Sequence, residues 1–265
     1  MNFYDHASAY GLIIRDLVAD GKWHRVPTTD KPRKRNGAYV WDGQKGAVKN
    51  WATMLKAEAY REYGPRVLPI APVKVDDSQK YVSAAKKAGQ MIASAKMGKH
   101  PYLAKKGWPE KDGLVLDGQL LIPMRQFDGT LSSVQMISPE GEKKFLPGGK
   151  AKRAVFVLNR HKLPSVRWLV EGFATGLSVL EAVQAMYRQD EVWVCFSAGN
   201  LADVSGLIPG RRVVFADNDA SKTGQKAAES TGLPWVMSPV EGEDANDYHQ
   251  RAGLWGLVRL MRKII

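Results

Sequence analysis

One pattern constrains this chain more than any other. Three short apolar runs, at residues 166–170, 192–196 and 213–216, are rich in β-branched and aromatic residues. Each leads through a small-residue turn into a segment of helical period. Such alternation predicts an α/β fold with a mainly parallel sheet, right-handed crossovers and flanking helices.

Acids stand where such a sheet places its chemistry. Glu171 directly follows the first run, and Asp217 and Asp219 directly follow the third. Ligands of open α/β sheets bind beyond the carboxyl ends of the strands. Two apart on an extended chain, Asp217 and Asp219 point to the same side. Carboxylates crowded at one edge repel each other unless a hard cation sits between them, so magnesium, or manganese in its place, is the expected cofactor. Asp244 and Asp247, in the loop after a strand predicted over 234–237, offer further ligands. Glu171 is open to two roles, metal ligand or general acid–base group. Capping competes at two positions: Asp219 precedes the helical segment SKTGQKAAES, and Asp247 precedes a helix expected near Tyr248. The conjunction of Glu, Asp-x-Asp and a third acidic loop favours a metal site over capping alone. Gly172 and Gly176 leave room for a phosphate near the backbone, and residues 197–200 supply a second turn at the same edge.

The net charge of +12 is unevenly placed: residues 1–154 carry 27 Lys and Arg against 15 Asp and Glu, whereas 155–265 carry 12 against 12. A basic half joined to a neutral half with an acidic site suits an enzyme acting on a polyanion. Singly, Lys86, Lys87, Lys105 and Lys106 read as solvated charge. The lone Cys195 can make neither a disulfide within the chain nor a zinc site. With no apolar run long enough to span a bilayer and no secretory pattern in residues 1–20, no membrane partner and a cytoplasmic setting are expected.

Residues 3–19 predict an amphipathic helix ending near Gly21, and 22–28, 37–43 and 47–53 predict a small antiparallel sheet with Gly and Asn turns. Trp23 and Arg25 fall on one face, and the reading sets Tyr39 and Trp41 on opposite faces of their strand. Trp41 and Trp51 are expected to be core. Trp23, Arg25 and the loop tip Arg33, Lys34 and Arg35 balance between that and a single-strand surface, where rings stack on bases and cations hold phosphates. Residues 64–76, with three prolines, read as a linker, and a helix is expected over 77–97. From 114 to 158 the chain is mostly strand, broken by FDGT and PEGE turns.

Taken together, Glu171-Gly172 after one strand and Asp217-x-Asp219 after a later one resemble the TOPRIM domain of bacterial-type primases, topoisomerases and some nucleases. The segment LLIPMRQFDGTLSSVQMISPEGEKKFLPGGKAKRAVFVLNR (120–160) is similar to the stretch that precedes that domain in bacterial, phage and plasmid primases, and Tyr102-x-x-x-Lys106-Gly107 is similar to a step before their basic subdomain. The resemblance covers about residues 100–250. It implies a basic primase-like subdomain (77–160) and a TOPRIM catalytic domain (161–265); ahead of them the residues themselves predict an N-terminal helix and small sheet (1–63), a candidate for nucleic-acid binding, and a linker (64–76).

It further implies a DNA-dependent primase, making short RNA primers on single-stranded DNA by magnesium-dependent nucleotidyl transfer in phage or plasmid replication within a bacterial host. Glu171, Asp217 and Asp219 would be catalytic, with Asp244 and Asp247 joining them at the metal. Arg125, Lys143, Lys144, Lys150, Lys152 and Arg153 would hold nucleoside triphosphate or template phosphate. Two departures stand out: Ala174 and Thr175 replace a further acid of the replicative primases, and no zinc ribbon or helicase motif is present, so a replicative helicase would be a separate partner. The alternatives are a TOPRIM metal-dependent nuclease and a non-catalytic single-strand-binding replication adaptor. A topoisomerase is excluded by size and by the lack of a tyrosine-bearing cleavage domain.

Overall fold

A capping box starts the first helix. The Asp5 N–H donates to the Asn2 side chain at 2.8 Å, and the Asn2 N–H donates back to the Asp5 carboxylate, opening α1 (Phe3–Ala9). The computed structural model describes residues 2–62 and 77–265 and separates the chain into two compact units, divided between Asp76 and Asp77. The expected linker, 64–76, lies outside the described residues. In the first unit the helix expected over 3–19 stops at seven residues. Gly11 turns left-handed at φ 75°, and Leu12 bridges to Thr28 and enters the core as extended chain.

Strands β1 (Trp23–Val26), β2 (Gly37–Trp41), β3 (Lys45–Asn50) and β4 (Glu58–Arg61) follow as an antiparallel sheet in that order. Phe3, Tyr39, Trp41 and Val48 fill its core, with the Phe3 and Trp41 rings stacked at 4.4 Å. Gly46 permits this, since a Cβ there would lie 2.6 Å from the Phe3 ring. Tyr39 and Trp41, two residues apart on β2, share the core face, which corrects their placement on opposite faces. Trp51 is not core: it is 49% exposed.

The second unit begins with α2 (Ser78–Ser94), β5 (Lys96–Gly98), α3 (Pro101–Lys105), β6 (Gly113–Leu116), β7 (Gln119–Arg125), β8 (Leu131–Ile137) and β9 (Lys143–Phe145). The five strands form an antiparallel sheet in chain order. Its β6–β7 hairpin turns through Asp117 and Gly118, both at positive φ, as a two-residue turn requires. Ala84 and Ala88 of α2 pack on Leu121 and Val134.

The third sheet holds β10 (Phe156–Val157), β11 (Arg167–Val170), β12 (Glu191–Val194), β13 (Arg212–Ala216) and β14 (Trp235–Met237) in the order β10-β12-β11-β13-β14. Alternate residues are buried on both sides. Trp168, Val170, Val213 and Phe215 face the cluster that includes α4 (Phe173–Ala185) and α7 (Ala245–Met261), while Leu169, Trp193 and Val214 face α5 (Ala198–Ser205) and α6 (Thr223–Ser230).

The expectation of a mainly parallel fold is corrected here. The third sheet is mixed, because β10 runs antiparallel to β12 beside the parallel pairs β12–β11, β11–β13 and β13–β14. Both other sheets are antiparallel throughout, so eight of the eleven strand pairings among the described residues are antiparallel. The reason lies in the connections: no helix stands between β10 and β11 to carry a parallel crossover, so β10 enters the edge reversed. The two sheets of the second unit meet where Arg125 and Val155 exchange backbone hydrogen bonds of 3.0 and 2.8 Å. Among the described residues no helix is long and apolar enough to cross a membrane.

Candidate active site

The carboxyl edge of the third sheet gathers four of the five acids. Glu171 leaves β11 and Asp217 leaves β13 directly, which sets both at that edge. Asp217 is gripped from behind by α6: a Cβ on Gly224 would sit 2.4 Å from the Asp217 carbonyl oxygen, so only glycine lets the helix come so close. Asp219 receives the N–H groups of Thr223 and Gly224 at 3.1 and 2.8 Å and the Ser221 hydroxyl, and so caps α6. These donors, the Ser221 hydroxyl foremost, hold its carboxyl down at about 2.

Asp244 caps α7, accepting from the Asn246 and Asp247 N–H groups at 2.7 and 2.9 Å, while the Thr175 hydroxyl donates to its other oxygen at 3.2 Å. Capping therefore falls to Asp244 rather than Asp247, because α7 begins at Ala245, three residues ahead of the expected start. Asp247 completes the capping box by accepting the Asp244 N–H at 3.4 Å, and it pairs with Lys106, whose Nζ lies 3.1 Å away.

Asp217 is left unsatisfied. Its Oδ1 is buried with no hydrogen-bond partner. Burial first, then the charges of Asp244 and Glu171, push its carboxyl up to about 7. Burial likewise raises Glu171, against the pull of Lys143. The opposite edge of the same sheet supplies a contrast. Asp190, fully buried, accepts from Arg188 at 2.7 Å and from the Trp168 indole at 3.1 Å; Glu191 accepts from Arg167 at 3.2 Å and the Trp193 indole at 3.0 Å. Where acids serve the fold, this sheet gives each a fixed cation and an indole; Asp217 has neither.

Strand alternation on β9 sorts the basic residues. Phe145 meets Phe196 edge-on at 6.2 Å beside the carboxyl end of β12, and Lys143, two residues earlier, shares that side. The Lys143 Nζ would lie 3.7 Å from a Cβ on Gly172, and its charge acts on both Glu171 and Asp217. Lys144 points the other way and pairs with Glu142 at 3.0 Å. Lys152 pairs with Asp203 at 3.5 Å, the Arg125 guanidinium donates to the Gly129 carbonyl, and Lys150 and Arg153 line a separate groove with Tyr81 and Phe127. Lys143 is thus the one of the six that the structure couples to the carboxylates. Arg25, Arg33, Lys34 and Arg35 belong to the first unit.

Three residues that the sequence reading named without placing them at the site belong to it. Thr175 orients Asp244, Lys106 pairs with Asp247, and Tyr102 lies near both, its hydroxyl pKa raised by burial first and then by the charges of Asp244 and Asp247. The spacing Tyr102-x-x-x-Lys106 was the available signal for the last two: α3 carries both to the start of α7, where the Lys106 carbonyl also accepts from Asn246 at 2.9 Å.

The donor set suits a hard divalent cation: oxygen donors only, one of them buried and unpartnered, with mutual repulsion that a cation would relieve. Among the described residues no three His, Cys, Asp or Glu side chains already close around a point as a finished metal site. The fit is therefore one of donor chemistry and placement rather than of a preformed cage.

Residues 166–254 match the Toprim domain. Solved structures to which the chain shows similarity include the primase fragment of the bacteriophage T7 primase-helicase protein (18% identity, 60% of this chain and 68% of that one, TM-score 0.42). The DnaG catalytic core (14%, 72% and 73%, 0.43) and the E. coli primase catalytic core (13%, 71% and 73%, 0.41) are further examples.

Proposed function

We propose that this chain is a primase-like nucleotidyltransferase that makes short RNA primers on single-stranded DNA, with magnesium or manganese as cofactor. The observation that carries the reading is Asp217, a half-buried carboxylate with one buried, orphaned oxygen beside Glu171 and Asp244 at the carboxyl edge of a Toprim sheet. Asp217 and Asp244 would hold the cation, with Glu171 beside them as the acid–base group, and Asp219, fixed by the first turn of α6, keeps the Asp-x-Asp turn in place. A bound divalent cation supplies charge for the attacking hydroxyl and for the departing pyrophosphate. Lys143 draws the triphosphate toward Gly172, where the missing side chain leaves room for it. Glu171, with its raised pKa, takes the proton of the attacking 3'-hydroxyl. Thr175 keeps Asp244 turned toward the site, and Lys106 neutralises Asp247. The template is single-stranded DNA, the substrates are nucleoside triphosphates, and a replicative helicase of a phage or plasmid system in the bacterial cytoplasm is the partner.

The test is synthesis on unprimed single-stranded DNA with labelled nucleotides and magnesium, wild type beside Asp217→Asn. Short products from wild type alone support the reading. Template degradation lost in the same variant would replace it with a nuclease, and binding without either product would replace it with an adaptor.

A further inference from the structure

Among the described residues, the hydrophobic core of the first unit lies on one face of its four-stranded sheet. The strand register gives the other face its residues. Its floor is small: Ala38, Val40, Ala47 and Ala59 stand side by side across β2, β3 and β4. Around that floor stand four cations, Arg25, Lys45, Lys49 and Arg61. No strand carboxylate joins them, because the one acid in these strands, Glu58, pairs opposite Val48 on the core side.

Two large rings sit at the same place in water. Trp23 is 53% exposed and Trp51 49%. Together with Arg25, Lys49, Leu55 and Lys56 they line a groove of about 520 Å³. The Trp51 backbone N–H donates to the Asn36 carbonyl at 3.1 Å, and the Arg25 guanidinium lies 4.1 Å from the centre of its ring. Arg25 is itself anchored by donating to the Arg35 carbonyl at 3.0 and 2.5 Å. Exposed indoles on a shallow floor, ringed by cations and free of strand carboxylates, match a strand of stacked bases with a phosphate backbone. A duplex, whose base faces are covered, does not match.

We propose that this face binds single-stranded DNA, with bases stacked on Trp23 and Trp51 over the alanine floor and phosphates held by Arg25, Lys45, Lys49 and Arg61. As a template clamp it rests on the reading of the preceding subsection; as a strand-binding surface it stands apart from that reading and is tested apart from it.

The full chain is titrated into fluorescein-labelled oligo(dT) in chelator without nucleotides, and anisotropy is followed over a range of salt. Trp23→Ala with Trp51→Ala weakens binding by about 25-fold or more, since each stacked base contributes roughly 5- to 150-fold. Lys45→Ala with Arg61→Ala, both solvent-exposed positions, lowers the salt slope by about 1.4, the value for two phosphate contacts on a single strand. Far-ultraviolet circular dichroism checks folding. If the tryptophan variant does not fold, the charge variant decides alone. Unchanged affinity and slope in folded variants, blunt duplex bound as tightly as the strand, or tighter binding of matching RNA would each overturn the proposal. Wild type that binds the strand but makes no primers supports this face while sinking the polymerase reading, whereas primer synthesis with unaffected variants sinks this face alone.

Discussion

Replacing Asp217 by Asn should stabilise the metal-free protein, by an amount that grows with pH. Asp217 goes from an ordinary 3.8 to about 7 on folding. The folded chain therefore keeps a proton that the unfolded chain has already released between those values. With a raised folded pKa, this stability is complete below about pH 4, is lost as pH rises to about 7, and is flat above. Between pH 5 and 8.5 the protein crosses about two of the roughly three units, or ~2.7 kcal/mol at ~1.36 kcal/mol per unit. The side chain is partly exposed, and solvent screening reduces the effect to about 1.5 kcal/mol at the low end. The amide of the variant has no such proton to lose. Urea unfolding in chelator across that range, read by circular dichroism, should thus show the variant gaining about 1.5–2.7 kcal/mol on wild type as pH rises. Excess magnesium should flatten the wild-type slope and leave the variant unchanged. The depressed Asp219 titrates below this window and does not interfere. An advantage that stays constant with pH, or a variant less stable than wild type at pH 8.5, would refute the claim that Asp217 is an uncompensated buried charge.

Further outcomes follow from the same geometry. Gly224→Ala drives a Cβ into the Asp217 backbone and should cut primer synthesis by about 100-fold with the fold retained, since displacements near 1 Å cost that much, while Gly199→Ala, which meets nothing within 4 Å, should be silent. Lys143→Ala should move the Asp217 midpoint in the pH–stability profile upward from about 7, because Lys143 pulls it down; Lys144→Ala, on the far side of β9, should leave the midpoint in place.

By itself the sequence determined the alternation from residue 166 to 247 and the order of its strands and helices, because hydrophobic period and strand length are local properties. It also determined that Glu171 and Asp217 would end strands, since each follows its apolar run without a gap. Only the tertiary structure decided the rest. Phe156 and Val157 make a strand only because β12 offers an edge, and two residues carry no readable period. The choice of Lys143 over Lys144 turns on which side of a three-residue strand meets Phe196. The exchange of roles between Asp244 and Asp247 turns on where α7 begins, and on Lys106, a partner 141 residues away that looks like any solvated lysine in the chain. Exposure of Trp51 likewise depends on which face of its sheet α1 covers. Local spacing places a residue along its element; which neighbour it meets is set by contacts between segments far apart in sequence.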